Sequence, residues 1–191
     1  IAREKQVTYP EIDLTVIFVQ LYLESHPTGT SVHHLKEWGR LIARTFRVLS
    51  RKRLELYPHT KEVLEDMKVA GCRIYLLSNA QADFTNPEID LLGLREIFHD
   101  IYLSSDVGIR KPQREFIMKV IKDHQLNPDK TVMVGNDFTT DVAVAKSIGM
   151  QSILINTFPY SDEELQNRSQ AGVRVIRDIQ ELQEDKGNHK F

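Results

Sequence analysis

The chain has 191 residues, 41% of them apolar and 27% charged, with a formal net charge of −2. That length allows one well-buried core plus a small appendage, and the near-neutral charge argues against a basic nucleic-acid footprint. Cys72 is the one cysteine, no apolar run reaches the length of a membrane-spanning helix, and the first residues carry no signal-peptide apolar stretch. The expected setting is therefore reducing and cytoplasmic, with no nucleic-acid or membrane partner and with Cys72 as a buried, inert thiol.

Residues 1–10 are polar and begin without an initiator methionine. From Ile12 to Leu23, the residues Leu14, Ile17, Phe18, Leu21 and Tyr22 share a helical face, and His26-Pro27-Thr28-Gly29 breaks it. A second helix is predicted from about Val32 to Ser50, with Leu35, Trp38, Leu41, Ile42, Phe46 and Leu49 as its stripe. Arg40, Arg44, Arg47 and Arg51 read as its solvated side. Tyr57-Pro58-His59 is a turn, and Thr60 is the expected cap of a helix that Gly71 ends. The pattern then alternates. Strands are predicted at Arg73–Ser78, Asp100–Ser105, Thr131–Val134, Gln151–Ile155 and Val173–Ile176, with helical segments between them and a weak terminal helix around Ile179 and Leu182. Strands alternating with helices at this spacing mean a parallel sheet covered on both faces, a Rossmann-like α/β fold, preceded by a small helical unit.

Three predicted strands end in polar groups: Ser78-Asn79, Lys111 a few residues past Ser105, and Asn136-Asp137 with Asp141 one helical turn on. In a parallel sheet these ends share one edge, where ligands bind. Singly, each has a plain reading as turn residue, loop lysine or helix cap. Together they provide a hydroxyl, an ammonium and two carboxylates, the set that phosphoryl transfer with Mg²⁺ requires. No G-x-G-x-x-G follows any strand, which makes a dinucleotide-binding protein the weaker rival.

At these residues the chain resembles the haloacid dehalogenase superfamily of hydrolases, most of them phosphatases. YPHTKEVLEDMKVAGCRIYLLSNAQ is similar to the lead-in to the family's second motif, LSSDVGIRKPQREFI to its third, and VMVGNDFTTDVAVAKSIGM to its fourth. The resemblance implies that Ser78 and Asn79 bind phosphate and that Lys111 stabilises the phosphoryl oxygens and orients the nucleophile. It implies that Asp137 binds Mg²⁺, with Asp141 as ligand or water-mediated support and Asn136 as the alternative occupant of the first position. Residues 1–54 are then the α-helical cap and residues 55–191 the hydrolase core.

The family's D-x-D nucleophile motif occurs nowhere in the sequence, and Asp13-Leu14-Thr15 lacks both the second acid and the preceding strand. The resemblance places that motif on a central strand between those at Arg73 and Thr131. The natural protein is accordingly expected to extend ahead of Ile1. The expected activity is Mg²⁺-dependent hydrolysis of a small phosphorylated metabolite, by a monomer or homodimer. The alternatives are a binding or regulatory module without the nucleophile and, less favoured, a metal-independent 2-haloacid dehalogenase.

Overall fold

A computed structural model describes residues 7–26, 32–157, 160–169 and 172–184. The start at Ile1, the break at Pro27–Gly29, the turn at Phe158-Pro159, the side chain of His33 and the tail beyond Glu184 lie outside the described residues. Two helices come first, α1 (Leu14–Ser25) and α2 (Val32–Ser50), then α3 (Thr60–Val69). The alternating region is β1 (Tyr75–Ser78), α4 (Ala82–Leu91), β2 (Asp100–Leu103), a single turn α5 (Ser104–Val107) and α6 (Arg114–Asp123). It continues with β3 (Val132–Gly135), a widened turn (Phe138–Val142) running into α7 (Ala143–Lys146), β4 (Gln151–Ile155), α8 (Asp162–Ser169), β5 (Arg174–Ile176) and α9 (Glu181–Glu184).

All strand pairings are parallel. β1 lies beside β2 with Tyr75 opposite Asp100, β3 beside β4 with Val132 opposite Gln151, and β4 beside β5 with Ile153 opposite Arg174. The sheet is split: β1–β2 form one part and β3–β4–β5 the other, so β1 and β3 each leave an edge without a strand partner among the described residues. The split falls where the family resemblance puts its central strand. The helical layers nevertheless run across the gap. Leu77 of β1 and Met133 of β3 pack in one cluster with Ile117 and Ile121 of α6 and Val144 and Ala145 of α7. On the opposite face Ile74 and Leu76 meet Ile89 of α4, and Val132 and Val134 pack with Met67 of α3 and Leu182 of α9. This in–out alternation is the two-residue period of a strand buried on both faces.

Sequence expectations differ from the structure at several points. The first strand is shorter than Arg73–Ser78, because the Ile74 amide bonds to the His99 side chain at 3.1 Å in place of a ladder partner, and Cys72 is half-buried just past α3. Ser104 and Ser105 begin a helical turn rather than end β2. The residue capping α3 is His59, in the left-handed region at φ 61° and without a side-chain cap bond, and Thr60 is the first helical residue. Asp13 caps α1, its Oδ1 accepting from the amides of Thr15 at 2.8 Å and Val16 at 3.3 Å.

The α1–α2 pair packs closely because Gly39 has no side chain: a Cβ there would lie 2.6 Å from Val19 Cγ2 and 2.9 Å from the Thr15 carbonyl oxygen. Trp38 is half-buried against Tyr22, ring centroids 4.6 Å apart. The arginine face of α2 is solvated at Arg40 and Arg44, as its pattern suggests, and it also makes ion pairs with α4. Arg47 donates to both oxygens of Glu88, at 2.8 and 3.1 Å, and Arg51 adds a bond at 3.1 Å. Arg40 and Arg44 lie 3.4 and 3.7 Å from Asp83 Oδ1. At positions 40, 44, 47 and 51 these side chains share one helical face, and that face meets the acids of α4. Burial pushes the Glu88 carboxyl up, but the bonds from Arg47 and Arg51 outweigh it and hold the group below its ordinary value.

Candidate active site

The carboxyl ends of β1 and β3 are joined by one side chain. Lys111 Nζ donates to the Leu77 carbonyl of β1 at 2.7 Å and to Asp141 Oδ1 at 2.6 Å. Both residues are buried, Lys111 with 8% of its surface exposed and Asp141 with 6%. A lysine at this depth needs a carboxylate, since an isolated buried ammonium is strongly disfavoured. A solvated loop lysine is therefore excluded, although Lys111 does sit on a loop. Its backbone is held too: Asn79 Oδ1 accepts from the Lys111 amide at 2.7 Å, and Asn79 Nδ2 donates to the Lys111 carbonyl at 3.0 Å. That two-point clamp fixes the lysine loop to the end of β1. Sequence reasoning gave Asn79 a phosphate; the structure gives it a loop to hold.

Asp141 reaches Lys111 because of two local features. The turn at Phe138–Val142 is wide, with the amides of Asp141 and Val142 both bonded to the Asp137 carbonyl at 2.9 and 3.2 Å, and such single wide turns are frequent at functional sites. Gly135 supplies the space: a Cβ there would lie 2.3 Å from Asp141 Cγ. Gly135 has no positive φ, and its service is steric. Asp141 Oδ2 then accepts from the amides of Asn136 at 3.0 Å and Asp137 at 3.1 Å. The carboxylate braces the β3 loop against Lys111, both oxygens accepting hydrogen bonds.

Asp137 is the residue that caps the wide turn, accepting at Oδ1 from the Thr139 amide at 2.6 Å and the Thr139 hydroxyl at 2.7 Å. Burial pushes its carboxyl up, but the bonds from Thr139 and Thr140 overcome that and hold it below the ordinary aspartate value. Asn136 is exposed and donates from Nδ2 to Thr157 Oγ1 at 3.1 Å. At the same edge Asn156 Oδ1 is buried with no hydrogen-bond partner among the described residues. Ser78, the last residue of β1, makes no side-chain hydrogen bond among the described residues, which leaves its hydroxyl available to a ligand.

The donor set fits a hard divalent cation in one restricted way. Asp137 offers a charged carboxylate oxygen, and Mg²⁺ characteristically takes one or two carboxylates and completes its octahedron with water and phosphate oxygens. Asp141 is engaged on both oxygens by Lys111 and the Asn136 and Asp137 amides, and no group of three or more His, Cys, Asp or Glu is arranged to hold a metal among the described residues.

A cleft of about 290 Å³ opens between the α1–α2 pair and α4, lined by Lys36, Arg40 and Arg44 together with Asp13, Asp83 and Asp106. Burial, with Asp83 nearby, pushes the Asp106 carboxyl up.

The family model for haloacid dehalogenase-like hydrolases matches residues 2–155. The chain belongs to this family. Among the hydrolases it resembles is the glyceraldehyde 3-phosphate phosphatase of Methanothermobacter thermautotrophicus, 30% identical over 132 residues, which are 69% of this chain and 58% of that one. The chain thus spans somewhat more than half the length of that curated relative. Two of the solved structures that share the fold illustrate it. One is a 2-haloacid dehalogenase from Pseudomonas syringae, with a TM-score of 0.64 at 18% identity over 90% of this chain and 70% of that one. The other is a HAD-hydrolase from Bacillus subtilis bound to magnesium, with a TM-score of 0.60 at 18% identity over 90% of this chain and 70% of that one. At those identities the structural likeness speaks to the fold alone.

Proposed function

We propose that this chain forms the phosphate- and metal-facing shell of a Mg²⁺-dependent phosphomonoester hydrolase acting on a small metabolite. The observation that carries the reading is the buried Lys111, held by Asp141, Leu77 and Asn79 beside the unpartnered hydroxyl of Ser78. A lysine ammonium has three protons. Leu77 and Asp141 take two, and the third serves a phosphoryl oxygen. Ser78 Oγ donates to a second oxygen, so that charge developing on the phosphoryl group meets fixed donors with no reorganisation. Asp137, with Asn136 beside it, would hold Mg²⁺, which when bound neutralises charge between nucleophile and phosphoryl group. The phosphatase named above supports the same reading.

The nucleophile of this reading is an aspartate on a strand that fills the slot between β1 and β3. It forms an aspartyl-phosphate that water then hydrolyses, with a second aspartate two residues on as general acid and base. The α1–α2 pair acts as the cap, and the basic residues of its cleft face the leaving group. The test is phosphate release by the whole protein from a panel of small phosphate monoesters, with and without Mg²⁺. Magnesium-dependent turnover that Ser78→Ala and Lys111→Met abolish is the expected result. Phosphate binding without turnover would instead identify a binding module. Metal-independent halide release from 2-haloacids would identify a dehalogenase.

A further inference from the structure

We propose that Glu11 and Gln81 are positioning residues that tie the Ser78 and Lys111 loops to the foot of α1, so that the seating of the helical pair sets the geometry of phosphate binding. This inference rests on the functional reading above. It starts from residues 9–12, which lie as a strap across the carboxyl edge of β1 and β2. Pro10 forms an antiparallel bridge with Ile109. The Glu11 amide donates to the Gly108 carbonyl and the Arg110 amide to the Tyr9 carbonyl, each at 3.1 Å. Lys111 is the next residue, so the strap holds the chain that delivers the lysine.

The same strap holds the loop that follows Ser78. Glu11 Oε2 accepts a hydrogen bond from Ser104 Oγ, and Ser104 Oγ accepts from the Ala80 amide at 2.8 Å. Ser104 is fully buried, at 0% exposure, so water does not replace either bond. Glu11 Oε1 accepts from the Ile12 amide at 2.9 Å and from Gln81 Nε2 at 3.4 Å. Gln81 Nε2 also donates to the Ile12 carbonyl at 2.5 Å, and its Oε1 accepts from the amide of Leu14, the first residue of α1, at 3.1 Å. One residue along, Thr15 Oγ1 donates to Asp83 Oδ2 at 2.8 Å, fixing the start of α1 to the start of α4.

Two residues therefore connect three things: the helix pair through Leu14, the serine loop through Ala80 and Gln81, and the lysine loop through Gly108–Arg110. Ser78 is two residues from Ala80 and Lys111 is one from Arg110. A small rotation of the strap moves both phosphate contacts, and displacements of about 1 Å change rates on the order of a hundredfold. Neither Glu11 nor Gln81 contacts the reacting atoms; each acts through Ser78 and Lys111.

The test measures inorganic phosphate as a competitive inhibitor of the whole protein, with KM and kcat for its best monoester and with Tm. Glu11→Ala and Gln81→Ala are expected to weaken phosphate binding about tenfold and to raise KM, while Glu11→Gln, which keeps an acceptor for Ser104, restores most of the loss. The reference for stability alone is Tyr102→Phe, whose hydroxyl bonds to Asp123 at 2.9 Å at the far side of β2. It is expected to lower Tm without changing phosphate binding. Unchanged phosphate binding in both Glu11→Ala and Gln81→Ala overturns the proposal, as does a loss that Tyr102→Phe reproduces at equal Tm. If the wild-type protein neither binds nor releases phosphate, the functional reading itself fails and takes this inference with it.

Discussion

Asp141→Asn isolates the contact on which the site depends. The native carboxylate receives only donors: the Lys111 ammonium at 2.6 Å and the amides of Asn136 and Asp137 at 3.0 and 3.1 Å. An asparagine carries one oxygen and one NH₂. If the oxygen turns to Lys111, the NH₂ faces two amide protons; if it turns to the amides, the NH₂ faces the ammonium. Either orientation opposes donor to donor. With 8% of Lys111 and 6% of Asp141 exposed, water has little access to relieve the conflict. Removing one partner of a buried ion pair costs roughly 3–5 kcal/mol. For a protein of this size that lowers Tm by about 6–20 °C. The assay is urea unfolding followed by circular dichroism, with a lower midpoint and an unchanged slope expected. Lys111→Met placed on Asp141→Asn removes the stranded ammonium, so the double variant should be at least ~1 kcal/mol more stable than the sum of the single effects gives. A loss below about 1 kcal/mol for Asp141→Asn, or strict additivity in the double variant, would refute the brace.

Three further outcomes follow from neighbouring geometry. Gly135→Ala puts a Cβ 2.3 Å from Asp141 Cγ, so the carboxylate must move, and a loss of about 1–3 kcal/mol with weakened phosphate binding is expected by denaturation and inhibition assays. Glu88→Gln removes the charge from the Arg47–Glu88–Arg51 cluster and should cost about 1–3 kcal/mol at neutral pH. Because native Glu88 titrates below its ordinary value of 4.5, its contribution is complete above that value and disappears as pH falls through the depressed one. The unfolding curves of wild type and Glu88→Gln should therefore converge in acid. Thr139→Val takes away hydroxyl support from Asp137, whose pKa then rises, and the acid limb of Mg²⁺-dependent hydrolysis should shift to higher pH.

Much of the molecule was decided locally. The 19-residue span of α2 and the run Gln151–Ile155 of β4 match their periodic patterns, because a helix of that length and a β-branched apolar run leave few alternatives. The placement of Ser78, Lys111 and Asp137 near strand ends followed from the alternating pattern, since parallel strands share one functional edge. What the sequence left open were matters of partnership. Nothing along the chain says that Arg40, Arg44, Arg47 and Arg51 meet Asp83 and Glu88, because those acids lie about 40 residues away and only the packing of α2 on α4 joins them. Asn79 and Asp141 carry the residue types of ligand-binding groups, and the tertiary structure engages both in holding Lys111. Glu11 sat in an unremarked polar stretch, and its link to Ser104 spans 93 positions. The chain determined which groups stand at the edge of the sheet through local hydrophobic period and turn chemistry. Which of them brace and which remain available to a ligand was decided by contacts between distant segments, where burial compels every charge to find a partner.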